Sequence, residues 1–293
     1  MPDAVAGQNT LAELLAAAAV ALERGGAVGK GRREAAALWA VLSGVTPGDV
    51  WLRRDQPPAP EPIEAFHRAV ERRAAGAPFA YAVERIAFRT LDLRIDSRAL
   101  IPRPETEGLV ELVLQELAHG SGGAAADIGT GSGCIALSLA VEGAFDRVVA
   151  VERSSAAAEL ARENVARARP RAPVEIREGD LLEPLGAERF RVIVANPPYL
   201  TGAEYDALDR AVRDFEPREA LVSGSDGLDA TRALLARAAA HLEPDGFLAL
   251  EIDERRAPAV RTLAEAAGWA ETLTRDDLFG RTRYALVFPS ERL

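Results

Sequence analysis

The stretch RVIVANPPY, residues 191–199, decides how the rest of this chain is read. Val192-Ile193-Val194-Ala195 is a run of β-branched and small apolar residues, which predicts a buried strand. It stops at Asn196-Pro197-Pro198-Tyr199. Two successive prolines cannot continue a sheet ladder, and they hold the backbone extended and stiff. An amide and an aromatic ring are thus presented just past the carboxyl end of a strand, where open α/β sheets bind ligands. Taken alone, the same residues fit an ordinary proline-terminated strand and a surface loop. Their meaning depends on the strands around them.

From residue 124 onward, apolar runs alternate with helical periodicity. Strands are expected at 124–128, 147–151, 174–177, 191–195, 247–252, 270–273 and 284–288. Helices are expected at 135–141, 156–168, 226–242 and 257–267, and the segment after the prolines is expected to be partly helical. Five strands alternating with helices predict an α/β fold with a mainly parallel, doubly wound sheet. About ten residues, 274–283, join the last two strands, too few for a helical crossover, so these two are expected to pair antiparallel. Seven strands with an antiparallel end depart from the order of the dinucleotide fold.

Upstream lies a different texture. Residues 1–10 read as disordered, and helices are expected at 11–22, 32–42 and 63–75, the first stopped by Gly25-Gly26. This small helical domain, 1–76, carries no charged or His/Cys constellation and reads as substrate recognition or scaffold. Phe79, Tyr81, Ile86, Phe88, Leu91, Leu93 and Ile95 suggest short strands, hence a β-hairpin connector over 77–104. A third segment, 105–293, begins with a periodic helix at 109–117; Pro104 and the glutamates at 105 and 107 suit a helix N-terminus.

With 35 Lys plus Arg against 45 Asp plus Glu, the 293-residue chain carries a formal charge of -10, which argues against a protein whose main affinity comes from neutralising phosphates. One cysteine, Cys134, excludes a disulfide framework and a cysteine-rich metal site. No signal-like N-terminus and no apolar run of membrane-spanning length is present, so a cytoplasmic protein without a membrane partner is expected. His67, His119 and His241 are far apart with no ligand spacing, and no metal is expected.

The strand ends carry the chemistry. Asp127-Ile128-Gly129-Thr130-Gly131-Ser132-Gly133 closes the first strand of the sheet, and its glycines permit a tight turn and close approach of a ligand. It lacks the Lys-Ser/Thr of a phosphate-binding P-loop. Glu152, at the next strand end, can accept two hydrogen bonds from a ribose diol. Asp180 follows at the third, placed to bind an adenine amino group, with Leu181 packing on the ring. Each feature alone fits a turn or a solvated acid. Their order along four successive strand ends is far more specific.

That order resembles the S-adenosylmethionine-dependent methyltransferases of class I, and Asn-Pro-Pro-Tyr resembles their branch that methylates planar amide or exocyclic amino nitrogens. More narrowly, the chain is similar to the release factor glutamine methyltransferases, the PrmC/HemK family. The resemblance runs from about Gly76 to the C-terminus through Ile101-Pro102-Arg103-Pro104-Glu105-Thr106-Glu107, the glycine loop, Asn196 to Tyr199, Asp214-Phe215-Glu216-Pro217-Arg218, Leu250-Glu251-Ile252 and Asp277-Leu278-Phe279-Gly280-Arg281. It implies methylation of the glutamine of a Gly-Gly-Gln motif in peptide-chain release factors, with S-adenosylmethionine as cofactor, by a monomer that binds no nucleic acid directly. The implied cofactor site is Asp127, Gly129, Thr130, Gly131, Ser132, Gly133, Glu152, Asp180, Leu181 and Asn196; the implied catalytic residues are Asn196, Pro197, Pro198 and Tyr199, with Phe88 and Arg103 added on the substrate side. Arg103 and the helix opened by Pro104 also suit the carboxylate end of the cofactor, and a structural role suits them equally. Glu152 stands where the family usually has Asp, and Glu84 and Asp253 stand where it has glycine.

An amide nitrogen is a poor nucleophile because its lone pair is delocalised, and its proton is too weakly acidic for a side-chain base to remove beforehand. The Asn196 oxygen and the Pro197 carbonyl could accept both N–H groups and aim the lone pair at the methyl, while Tyr199 lies against the amide plane. An amino group conjugated to an adenine ring would fit the same clamp. A ribosomal-protein glutamine and a nucleic-acid adenine are therefore the alternative acceptors.

Overall fold

A computed structural model of the protein describes residues 10–27, 29–117 and 122–290. Residues 1–9, within the stretch read as disordered, and His119 lie outside the described residues. The chain divides into two compact units, Met1–Arg85 and Ile86–Leu293.

The first unit is helical: α1 (Leu11–Arg24), α2 (Gly31–Ser43), α3 (Pro47–Leu52), α4 (Ile63–Ala74) and α5 (Phe79–Val83). Thr10, at the end of the stretch read as disordered, is the N-cap of α1; its hydroxyl accepts from Glu13 N while the Glu13 carboxylate accepts from Thr10 N. Leu22, Leu38, Trp39, Phe66 and Val70 form the core, with Trp39 and Phe66 packed edge to face at 5.4 Å. Phe79 and Tyr81, expected in a strand, are helical instead. The neighbours Ala82 and Val83 both bury in this one core, which successive residues of a strand, pointing to opposite faces, could not do. Glu84, where the family resemblance expects glycine, has φ 54°, a left-handed conformation costing an L-residue about 1–2 kcal/mol. Asp253 has φ -80° and caps a short helical turn, so its position makes no demand for glycine.

The hairpin β1 (Arg85–Phe88) and β2 (Leu91–Arg94) leads to α6 (Pro104–Glu116), which opens at Pro104 with Glu105 and Glu107 in its first turn, as their types predict, and continues through the periodic stretch expected from 109. Seven strands follow, β3 (Ala124–Ile128), β4 (Arg147–Glu152), β5 (Val174–Glu178), β6 (Phe190–Ala195), β7 (Leu242–Glu251), β8 (Glu271–Asp276) and β9 (Thr282–Phe288), in the sheet order β5-β4-β3-β6-β7-β9-β8. The first five pair in parallel and β9 runs antiparallel to β7 and β8, the predicted doubly wound sheet with an antiparallel end. Connecting helices are α7 (Cys134–Glu142), α8 (Ser155–Ala168), α9 (Gly202–Asp206), α10 (Arg210–Arg213), α11 (Asp229–Arg237) and α12 (Ala257–Ala266). The helix expected over 226–242 is shorter because Leu242 already pairs with Phe190, so β7 starts five residues before the expected 247.

Both faces of the sheet are covered. Val192 and Val194 bury against Leu109, Val113 and Leu137 from α6 and α7, while Ile193 and Ala195 bury against Leu234, Leu235 and Val260 from α11 and α12. Alternation within one apolar run thus serves two cores, which is why the run shows no polar face. Chain direction across the sheet reverses between β3 and β6. The loops leaving their carboxyl ends diverge there and open a crevice.

Candidate active site

That crevice is a cleft of about 770 Å³, lined among others by residues 129–132, Glu152, Asp180, Leu181, Asn196, Pro197 and Pro198. Of the residues singled out from the sequence, these come together from four strand ends. The glycine loop forms one wall. Gly129 (φ 74°) and Gly131 (φ 56°) are left-handed, and a Cβ at Gly129 would meet nothing within 4 Å, so a side chain would fill the cleft instead. Asn164 on α8, fully buried, holds this loop from behind: its Nδ2 donates to Ser132 O (2.9 Å) and Arg94 O (3.0 Å), and its Oδ1 accepts from Arg94 N. Ser132 Oγ is buried beside the Cys134 thiol, a weak partner, and makes no other hydrogen bond among the described residues, so it can serve a ligand.

Glu152 does more than line the cleft. Its Oε2 accepts from Gly131 N and its Oε1 from Ser154 N, both at 2.9 Å. One carboxylate therefore ties the end of β4 to the glycine loop and still has lone pairs for a diol. Asp180 is exposed and 3.9 Å from an Arg153 guanidinium nitrogen; Leu181 beside it has φ 47°, a strained conformation of the kind concentrated at ligand sites. Arg103 also lines the cleft and pairs with the buried Glu216 (2.6 Å), whose other oxygen accepts from Ile101 N, so the Arg103 segment is anchored by the Asp214–Arg218 motif. Cys134 is a buried cleft residue whose thiol burial pushes up to about 12.

The opposite wall is Asn196-Pro197-Pro198. Asn196 Nδ2 donates to Thr106 Oγ1 (3.1 Å), and the Thr106 hydroxyl donates to Glu251 Oε2 (2.7 Å). Thr106 and Glu251 are each 2% exposed. Neither was picked out as a site residue from the sequence; the signal was their place inside two quoted motifs. Tyr199 is half-buried and outside the cleft lining, and burial pushes its phenol up to about 12, so it stays neutral. The chain beyond it is pinned: Leu200 N donates to Leu221 O, Ser223 N donates to Leu200 O, and a Cβ at Gly227 would overlap the Tyr199 carbonyl and the Arg256 guanidinium. Phe88 lies elsewhere, 1% exposed in the core with Leu91, Leu109 and Val110, and does not line the cleft. His67 is exposed, and His241 Nδ1 sits 3.3 Å from Glu188 O.

Asp127 lies just beneath the loop, fully buried, its Oδ2 accepting from the Thr130 hydroxyl (2.5 Å) and Ala136 N (3.0 Å) while Oδ1 has no partner among the described residues. Burial raises its pKa from 3.8 to about 7 against the pull of those two hydrogen bonds. The folded state then binds more protons than the unfolded one between those values, so this group's contribution to stability falls as pH rises through the interval. Asp127→Asn keeps an acceptor for Thr130 and Ala136 and is expected to flatten the decline of the urea midpoint between roughly pH 4 and 7. An unchanged slope would show that Asp127 does not titrate there.

Comparison with known proteins places these features in a family. Residues 13–83 match the model of the PrmC N-terminal domain, and residues 108–226 match that of the methyltransferase small domain. A release factor glutamine methyltransferase of Xylella fastidiosa is 46% identical over 235 residues, 80% of this chain and 85% of its own. That of Moorella thermoacetica is 40% identical over 283 residues, 96% of this chain and 99% of its own. A solved methyltransferase from Pyrococcus furiosus shares the fold with a TM-score of 0.52 at 22% identity, over 69% of this chain and 90% of its own. The chain belongs to the release factor glutamine methyltransferase family.

Proposed function

We propose that this protein transfers a methyl group from S-adenosylmethionine to the side-chain amide nitrogen of the glutamine in the Gly-Gly-Gln motif of a peptide-chain release factor, in the cytoplasm where release factors act. The observation that carries this reading is the Asn196 amide, which spends its nitrogen on Thr106 and leaves its oxygen as the acceptor in a cleft facing the glycine loop.

The cleft supports the cofactor on its chemistry. Glu152 retains acceptor capacity for a ribose diol, Asp180 and Leu181 offer an acceptor and an apolar face to an adenine, and Ser132 Oγ is a buried polar atom with only the weak Cys134 thiol beside it among the described residues. When bound, S-adenosylmethionine supplies a methyl group on a positively charged sulfur. The chain's own residues then have to orient the acceptor. Asn196 Oδ1 and the Pro197 carbonyl accept the two N–H groups of the glutamine amide, which favours a pyramidal nitrogen and stabilises the positive charge that develops on it. The stiffness of Pro197-Pro198 keeps these two acceptors at fixed separation. Tyr199, neutral, next to the cleft wall though not part of its lining, and held by the pinned chain that follows it, is assigned to the flat face of the amide on the motif resemblance. Arg103 is assigned to the substrate side of the cleft, braced by Glu216.

Incubation of the purified chain with methyl-labelled S-adenosylmethionine and, in parallel, a release factor, a ribosomal protein with a methylatable glutamine, and DNA or RNA tests this directly. Label is expected on the release-factor glutamine; label on another acceptor and none on that glutamine would overturn the assignment. Asn196→Ala is expected to lower kcat by about a hundredfold or more while leaving the cofactor Kd within about twofold, because the lost acceptor acts on the transition state. Glu152→Ala should raise that Kd by about tenfold or more, since it removes the diol acceptor and the Gly131 tether together. Calorimetry separates the two effects.

A further inference from the structure

Three side chains form a chain of hydrogen bonds behind the Asn196 amide, and the chain has a direction. Thr106 comes from the first turn of α6, Asn196 from the loop after β6, and Glu251 from the last position of β7. An ionised carboxylate only accepts, so the Thr106 hydroxyl hydrogen is committed to Glu251. The hydroxyl can then only accept from Asn196, which turns Nδ2 toward it and leaves Oδ1 for the cleft. A protonated Glu251 could donate to Thr106 instead. The hydroxyl hydrogen would pass to Asn196 Oδ1, the amide would reverse, and the cleft would present N–H donors to an acceptor that is itself an N–H.

We propose that Thr106 and Glu251 are positioning residues that set which way round the Asn196 amide stands, so that the acceptor amide is gripped only while Glu251 is ionised. The catalytic consequence rests on the methyl-transfer reading above; the orientation does not.

Two further observations support this. Glu251 is 2% exposed and has no ion-pair partner within 4 Å among the described residues, a costly placement for a carboxylate whose only role is to fill space. The groups that face it come from four elements: Glu105 and Thr106 on α6, Cys134 on α7, Asn196 and Tyr199 on the loop, and Arg283 and Tyr284 on β9. Burial is the dominant influence and raises its pKa; Thr106, Arg283 and Asn196 oppose it, Glu105 adds to it, and the balance lies at about 7. The orienting carboxylate thus titrates in the range where the enzyme would work.

The Asn196 side-chain amide, identified by the loss of its signals in Asn196→Asp, can be followed by 1H–15N NMR in the full chain from roughly pH 5.5 to 8.5. Its resonances are expected to shift with a midpoint at about 7 in the wild type and to stay fixed in Glu251→Gln. In the methylation assay kcat should fall on the acid side with the same midpoint, and Glu251→Gln should lack that limb. Thr106→Val should lose about tenfold or more in kcat at unchanged cofactor Kd, and Thr106→Ser should restore most of it, because only the hydroxyl matters. A pH-invariant amide in a wild-type chain that methylates the release factor would overturn the positioning role alone. A titrating amide in a chain that leaves the release factor unlabelled would overturn the proposed function alone. If Glu251→Gln does not fold, a Thr106→Val variant with wild-type kcat overturns the proposal.

Discussion

The parallel pairing of β3 with β6, Ala125↔Val192 through Ile128↔Ala195, is the constraint on which the rest depends. It brings two strand ends from distant parts of the chain side by side and sends their loops in opposite directions. β4 and β5 extend the sheet on one side and deliver Glu152 and Asp180; β7 extends it on the other and delivers Glu251. Pairing of Ala195 with Leu250 sets Asn196 alongside Glu251. Because side chains alternate between faces, a slip of one residue in that register would move Glu251 to the opposite face and leave Thr106 without its acceptor. What resists the slip is apolar: Val192 and Val194 belong to one core, Ile193 and Ala195 to the other, and none can exchange places without exposing or overfilling a packed layer. The polar site therefore inherits its accuracy from the hydrophobic cores beneath it.

Legibility in the sequence followed the range of the interactions involved. Four of the five parallel strands were readable because each holds an apolar run whose composition reports burial on both faces, while β5, Val174-Glu175-Ile176-Arg177-Glu178 at the sheet edge, shows alternation instead. Their ends could be ranked by the glycines, acids and prolines that interrupt them. The antiparallel end was readable from a connection too short for a helix. Residues 242–246 were not readable as strand, since Pro244 and Gly246 look like loop residues; they are held by Leu242 pairing with Phe190 across a register irregularity. Phe79 and Tyr81 misled for a related reason, because apolar alternation over five residues fits a strand or a single buried helical turn equally. Thr106 and Glu251 lie 145 residues apart, and only the folded sheet and the start of α6 place them at one hydrogen bond. Asn164 gave no local signal at all, being one polar residue within a helix whose buried face is otherwise apolar.

The departures from the family pattern separate in the same physical way. Glu152 replaces a shorter acid, and both of its oxygens hold backbone amides while it lines the cleft. Glu84 sits in a left-handed turn that glycine would adopt without strain, offset in part by its pairing with Arg72 (2.6 Å). Asp253 occupies an ordinary conformation and makes its own cap. One sequence difference is thus chemical, one conformational, and one without conformational consequence.

Asn164 has an implication for how tightly a ligand can be held. A glycine-rich loop of five residues samples a wide range of conformations when free, and ordering it on binding would subtract from affinity by about 1 kcal/mol or more for each backbone residue fixed. Here a fully buried amide grips the loop through the Ser132 carbonyl and joins it to the strand carrying Arg94, while Glu152 grips Gly131 from the other side. The loop is immobilised by folding itself, so its ordering entropy is charged to the stability of the domain and not to the ligand. A site with a loop this flexible in composition can on that account behave as a rigid receptor.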